Sequence, residues 1–343
     1  MSEKIFTWNG YKKGVNLGGW LSQCNYEKNH LDTFILESDI QKIKSWGLDH
    51  VRLPFDFNII QDKDGNIIAD GFKYIDNVIS WCKNAGLNLI LDLHKAQGFS
   101  FDKGENESGL FGNPKYEKMF TDIWIEMAKR YGNIGDNVSF ELLNEVTSPS
   151  FNDGWMKLAA STISEIRKIA PNVQILIGGY WNNSPDAVKD LIMPPDSKVY
   201  YNFHCYNPMC FTHQGAGWVD GMPLDFRMPY PFDYDDPSYN PAKPSYEKMG
   251  LPWLKGKQTP DFFENNFKSA IETAKARNVI LYCGEYGVID LADPVSTVNW
   301  YKDINSVLEK YGIGRAAWNY KEKDFGLEGK HYDSVRDELL KYL

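Results

Sequence analysis

Short apolar runs alternate with longer amphipathic ones along the whole chain. The short runs fall at 14–20, 50–55, 88–94, 138–145, 174–179, 199–206, 279–285 and 314–320, and they are rich in Val, Ile, Leu and aromatic side chains. Runs of this length and composition read as buried β-strands. Between them, 36–46, 72–84, 116–131, 155–169, 262–275 and 295–311 repeat apolar residues at helical spacing, and 334–343 closes the chain in the same way. Strand and helix in alternation are the pattern of a parallel sheet with crossover helices. Eight such strands predict closure into a (β/α)8 TIM barrel rather than an open doubly wound sheet. The glycine-rich opening, Gly14-Val15-Asn16-Leu17-Gly18-Gly19, lacks the G-x-G-x-x-G spacing of a dinucleotide loop and so favours the barrel too.

A barrel of this kind needs ~250 residues, so a chain of 343 leaves roughly 90 for insertions. Most of the excess lies at 207–260, a stretch rich in Pro, Tyr, Asp and Met and too long for a structureless loop. It is expected to form a small subdomain on the catalytic face after the sixth strand, within one catalytic domain spanning 1–343. A formal charge of −9 without any Lys/Arg run makes nucleic acid and anionic membrane surfaces poor partners. Phe, Tyr and Trp make up 15% of the residues, more than a core needs, which points to exposed stacking platforms for a neutral ligand with flat apolar faces. The five cysteines are scattered without a CxxC pair, signalling neither a disulfide framework nor a zinc cluster. No run reaches transmembrane length, and the first residues lack the apolar core of a signal peptide. A cytoplasmic monomer is expected for the chain as it stands, and a secreted one if a leader has been removed.

A buried apolar strand has no structural need for polar residues at its C-terminal end, yet these strands carry them. Arg52 ends the second, His94 the third, Asn144 and Glu145 the fourth, His204 and Tyr206 the sixth, Glu285 the seventh and Trp318 the eighth. In a parallel barrel all of these ends open on one face, the face where barrel enzymes keep their chemistry. Two acids at one mouth are the equipment for breaking an acetal C–O bond: one carboxylic acid protonates the departing oxygen while the other group attacks or stabilises the oxocarbenium-like carbon. Glu145 is assigned as acid/base, because Asn144 beside it can hydrogen-bond a sugar 2-OH. Glu285 is assigned as nucleophile, with Arg52 and Tyr206 as donors that should keep its pKa low. The ionised Glu285 would then hold Glu145 protonated, and Trp318 would offer its face to the reacting sugar.

Together these motifs resemble glycoside hydrolase family 5, the (β/α)8 retaining β-glycanases, and within it the clostridial endoglucanase C type. The likeness rests on Gly14-Val15-Asn16-Leu17-Gly18-Gly19-Trp20, His50-Val51-Arg52-Leu53-Pro54-Phe55, Leu142-Leu143-Asn144-Glu145-Val146, Tyr201-Asn202-Phe203-His204, Phe211-Thr212-His213-Gln214, Gly284-Glu285-Tyr286-Gly287 and Ala317-Trp318-Asn319-Tyr320. It implies an acid/base at Glu145 and a nucleophile at Glu285. Arg52, His94, Asn144, His204, Tyr206 and Trp318 are the implied supporting residues, with no cofactor or metal and with a β-glucan as substrate. Lys95 departs from the second histidine that many relatives carry after the one matching His94. The opening motif and the stretch around Leu93-His94-Lys95 also resemble the family's exo-β-1,3-glucanases.

Trp20, Trp181, His213, Gln214 and Trp218 are looser candidates, each able to line a sugar subsite or to pack the insertion on the barrel. Two His and two Glu could also hold a metal, but no H-x-H or H-E-x-x-H spacing is present. The reading is thus a retaining endo-β-glucanase acting on β-1,4 or mixed β-1,3/1,4-glucan. An exo-β-1,3-glucanase and a non-catalytic glucan-binding barrel are the alternatives.

Overall fold

Eight parallel strands pair in chain order, and the eighth closes on the first. They are β1 (Lys13–Asn16), β2 (His50–Asp56), β3 (Asn88–Lys95), β4 (Val138–Glu141), β5 (Gln174–Ile177), β6 (Val199–Cys205), β7 (Leu281–Tyr286) and β8 (Gly314–Ala317). The computed structural model describes residues 6–102, 104–105, 109–237 and 256–343. All eight expected strands are present, as are the long helices Glu37–Ser45, Phe72–Ala85, Pro114–Tyr131, Asn152–Ile169, Pro260–Arg277 and Pro294–Tyr311. Their ends follow local chemistry. Asn113 and Asp293 cap helices that begin with Pro, each side chain accepting a backbone N–H of the first turn. The expected closing helix at 334–343 is reduced to Arg336–Leu339, and the Arg336 side chain reaches back to the carbonyls of Leu327, Glu328 and Gly329.

Side chains of alternate residues fill the barrel in layers. The lowest is apolar and aromatic: Ile90, Leu176, Tyr200, Tyr282 and Ala316 pack with Trp8 and Tyr11, which plug the N-terminal end. Above it lie Arg52, Asp92, Glu141 and Asn202, all fully buried, with Asp92 and Asn202 one period-2 step beyond Ile90 and Tyr200. The rows above are the strand ends themselves. β7 breaks the alternation: its pairing slips at Phe203/His204 against β6 and again against β8. This bulge turns Glu285 toward the interior directly after Gly284, whereas strict alternation would have sent it outward. Gly284 is small because Asn202 and His204 crowd it.

Of the insertion expected at 207–260, residues 238–255 lie outside the described residues. In the rest, Met222, Phe226, Met228, Tyr230 and Phe232 belong to the same hydrophobic cluster as the barrel helices. Tyr230 donates to Asp303 (3.0 Å), and the Trp300 indole donates to the Asn207 carbonyl (3.0 Å), tying the segment to the helix Pro294–Tyr311. Among the described residues no helix is long and apolar enough to cross a membrane.

Candidate active site

Arg52 is the centre of the mouth. Its guanidinium, wholly buried, donates Nε–H to Glu141 Oε2 (2.7 Å), Nη1–H to Asn16 Oδ1 (2.8 Å) and Glu285 Oε1 (2.8 Å), and Nη2–H to Glu141 Oε1 (2.8 Å) and Asn144 Oδ1 (2.9 Å). Asp92 Oδ2 lies 3.0 Å from Nη2. A planar fork of five N–H donors is the one side chain that can satisfy so many oxygens at fixed angles. With five side chains from four strands or their ends, Asn16, Asp92, Glu141, Asn144 and Glu285, gathered on it, Arg52 fixes the spacing of the mouth.

The two glutamates have different partners. Glu285 accepts from Arg52 and, through Oε2, from the Tyr206 hydroxyl (2.8 Å). Glu145 touches no cation: the Asn182 amide donates to Oε2 (3.0 Å), and His204 Nδ1 stands 2.8 Å from Oε1. The Asn183 and Asn202 amide nitrogens approach His204 Nε2 at 3.3 and 3.4 Å, so Nε2 accepts and Nδ1 carries the proton donated to Glu145. Burial holds His204 neutral, its pKa lowered to about 4.

Burial also raises the Glu145 pKa to about 7, against the smaller pull of the Asn182 hydrogen bond. Glu285 is likewise raised rather than held low as expected, because burial outweighs the lowering effect of neighbouring His204 and Arg52. Its contacts still separate the roles. A charged guanidinium and a phenol bond Glu285 directly, so the ionised form is stabilised there, and the proton shared by the pair rests on Glu145. Backbone geometry aids this aim: Glu145 sits in the left-handed region at φ +36°, a strained position for a residue with a Cβ.

His94 donates Nδ1–H to Asp92 (2.6 Å) and lies flat against Trp318, ring centroids 5.7 Å apart and planes 2° from parallel. Trp318 is framed from the first strand: the Asn319 side chain bonds both N–H and C=O of Gly18, at 2.9 and 3.0 Å. A Cβ on Gly18 would lie 2.5 Å from the Trp318 ring, which explains the glycine. The motifs that open and close the chain therefore build one platform.

Arg52, His94, Asn144, Glu145, His204, Tyr206, Glu285 and Trp318 come together as expected. Trp20 does not join them. It is 1% exposed, its indole N–H is bonded to the Leu31 carbonyl (2.8 Å), and it packs against Tyr74 and Trp81. The left-handed turn at Gly19 carries it behind the mouth, so its expected role as a sugar platform gives way to packing. His213 packs edge-on against Tyr206 (5.1 Å), and Gln214 is used up on the backbone of Phe211 and Met228. Trp218 is 55% exposed, with a ring free to meet a ligand.

Sequence reasoning passed over Asn16, Asp92, Glu141, Asn182 and Asn202. Asp92 and Asn202 stand two residues before His94 and His204, so the strand period was the available signal. Among the described residues, the one grouping able to supply three metal donors is Glu145, His204 and Glu285, one atom of each within 4.8 Å of the others. These atoms are held by Arg52, Tyr206 and Asn182 in the arrangement of an acid pair with its imidazole.

Residues 8–324 match the family described as cellulase (glycosyl hydrolase family 5). Cellodextrinase A of Ruminococcus flavefaciens is 47% identical over 306 residues, covering 89% of this chain and 84% of its own. Endoglucanase C of Acetivibrio thermocellus is 42% identical over 338 residues, 97% of this chain and 98% of its own. Among solved structures, endoglucanase Cel5A from Thermotoga maritima shares the fold with a TM-score of 0.75 at 24% identity, covering 100% of this chain and 98% of its own.

Proposed function

The chain belongs to glycosyl hydrolase family 5 and is a glycoside hydrolase, and from that premise we propose a retaining endo-β-glucanase that cleaves β-1,4-glucan or mixed β-1,3/1,4-glucan by double displacement. The observation that carries the proposal is the acid pair. One oxygen of Glu145 and one of Glu285 lie within 4.8 Å of each other, an approach that suits the ~5–5.5 Å carboxyl spacing of retaining enzymes better than the ~6.5–9.5 Å that inversion needs for its water.

The steps follow from the contacts. Glu285, aimed by Arg52 and Tyr206, attacks the anomeric carbon of the sugar lying over Trp318. Glu145 gives its proton to the departing glycosidic oxygen. The resulting glycosyl ester is opened by a water that Glu145, now ionised, deprotonates, and Glu285 leaves as a carboxylate. Asn144 accepts the Arg52 Nη2–H at Oδ1 and keeps its amide N–H groups without a protein partner, a donor for the sugar 2-OH. His94, neutral because burial lowers its pKa to about 3, presents Nε2 to the sugar as an acceptor.

Viscosity and released sugars, followed together on barley mixed-linkage glucan, carboxymethylcellulose and laminarin, test the proposal. A rapid viscosity drop on the first two, with oligosaccharides as products, is expected. Glucose released from laminarin alone, with the other viscosities unchanged, would replace the endoglucanase by an exo-β-1,3-glucanase.

A further inference from the structure

The helix Phe72–Ala85 carries Tyr74, Asn77 and Trp81 at i, i+3 and i+7, a spacing that puts all three on one face. That face and the short helix Lys28–Thr33 line a groove of about 310 Å³ on the outer flank of the barrel. Small-molecule sites run from ~300 to ~1,000 Å³, so the groove is on the scale of a short stretch of chain. None of the residues that line it belongs to the mouth.

Trp81 is only half-buried there. It stacks on the buried Trp20, centroids 6.4 Å apart and planes 18° from parallel, and Tyr74 meets Trp20 edge-on at 6.2 Å. Three packed rings thus make a firm floor. Trp8, Trp20, Trp124, Trp155 and Trp300 each give the indole N–H to a protein acceptor, whereas the Trp81 N–H has none among the described residues. The rim is polar and held in place. Asp32 pairs with Lys28, accepts the Tyr74 hydroxyl at 3.0 Å and lies 3.7 Å from Lys73 Nζ. Asn77 stands exposed beside them.

Resting on the proposed glucanase reading, we propose that this groove is a second glucan-binding site, which holds a stretch of β-glucan on the flank of the barrel, away from the acid pair. An indole backed by a second indole suits the apolar C–H face of a pyranose, and the free N–H at its edge suits a hydroxyl. An amide, a carboxylate and two ammonium groups around the rim supply donors and acceptors together, the mixture that a neutral polyol needs. An anionic ligand fits less well, because Asp32 stands among the ammonium groups. Polymer held on the flank stays near the mouth, so the second contact raises its effective concentration there and leaves the chemistry unchanged. A substrate too short to reach both places gains nothing.

Electrophoresis through gels containing barley β-glucan, with every protein also carrying Glu285→Gln so that the polymer survives, reads the site directly. Trp81→Ala should weaken retardation, raising the apparent Kd roughly three- to tenfold, the scale of a lost ring contact. Asn77→Ala, a surface change on a helix that leaves the packed rings alone, should weaken it in the same direction. With Glu285 intact, both variants should raise KM on β-glucan and keep the wild-type kcat/KM on an aryl β-cellobioside. Unchanged retardation in either variant would overturn the site, and so would losses in Asn77→Ala that are equal on polymer and aryl cellobioside. Equal retardation by soluble starch would overturn the assignment to a β-linked chain. Wild-type protein that does not cleave the aryl cellobioside, with no retardation by β-glucan, would instead refute the glucanase reading, and with it this inference.

Discussion

Asn182→Gly isolates the control of the acid's pKa. Asn182 lies on the surface beside Glu145, and its amide donates to Glu145 Oε2 at 3.0 Å. It sits in the left-handed region at φ +55°, so glycine rather than alanine removes the side chain without adding strain. A hydrogen bond to the ionised carboxylate lowers its pKa, and removing the bond must raise it. Bonds to charged groups contribute about 1.5–3 kcal/mol, and solvent access to Asn182 places this one at the lower end. At about 1.36 kcal/mol per pKa unit that is a shift of about one unit. As the proposed acid Glu145 must be protonated to work, so activity should be present below its pKa, raised by burial to about 7, and lost as pH rises through it. The alkaline limb of kcat/KM on a cello-oligosaccharide, whose leaving group needs the proton, should therefore move upward by about one unit in Asn182→Gly. Burial raises Asp92 to about 7 as well, so Asp92→Asn is the control: the limb should persist in that variant. A limb that stays in place or moves down in Asn182→Gly, or that vanishes in Asp92→Asn, would refute the assignment of the acid.

Glu145→Ala should lose far less rate in glycosylation on aryl cellobiosides with good leaving groups than on natural glucan, because the former need little protonation; equal losses would count against an acid role. In Gly284→Ala the new Cβ would lie 2.7 Å from the Asn202 amide and 3.0 Å from His204 Nε2, so the β7 bulge must shift. Its kcat should fall about a hundredfold, and a kcat near wild type would show that the bulge does not set the position of Glu285.

The barrel is legible in the sequence because the strands are short apolar runs alternating with amphipathic helices, and the mouth is legible because most of those runs end in polar or aromatic residues that a buried strand does not need. What lies one pleat deeper is harder to see. Glu141 sits inside an apolar run, and a buried carboxylate there is explained by its partners in space, Arg52 and the Asn202 amide. The β7 bulge is a property of pairing between strands, with no mark in the sequence beyond Gly284. Trp20 and Trp318 both follow glycine-rich or small-residue segments, yet one is turned outward by Gly19 and the other held over the mouth by Asn319. Composition does not distinguish them. Asn182 is placed by three consecutive left-handed residues, Trp181, Asn182 and Asn183, a conformation set by the loop rather than by hydrophobic period.

In the proposed mechanism Glu285 attacks the sugar and carries it covalently. A 2-deoxy-2-fluoro-β-cellobiosyl fluoride forms such an ester quickly and releases it slowly, so digestion and mass spectrometry of the treated protein locate the bond. One fluorocellobiosyl unit is expected, on the peptide bearing Glu285. A label on Glu145, or time-dependent turnover with no label on any residue, would contradict it.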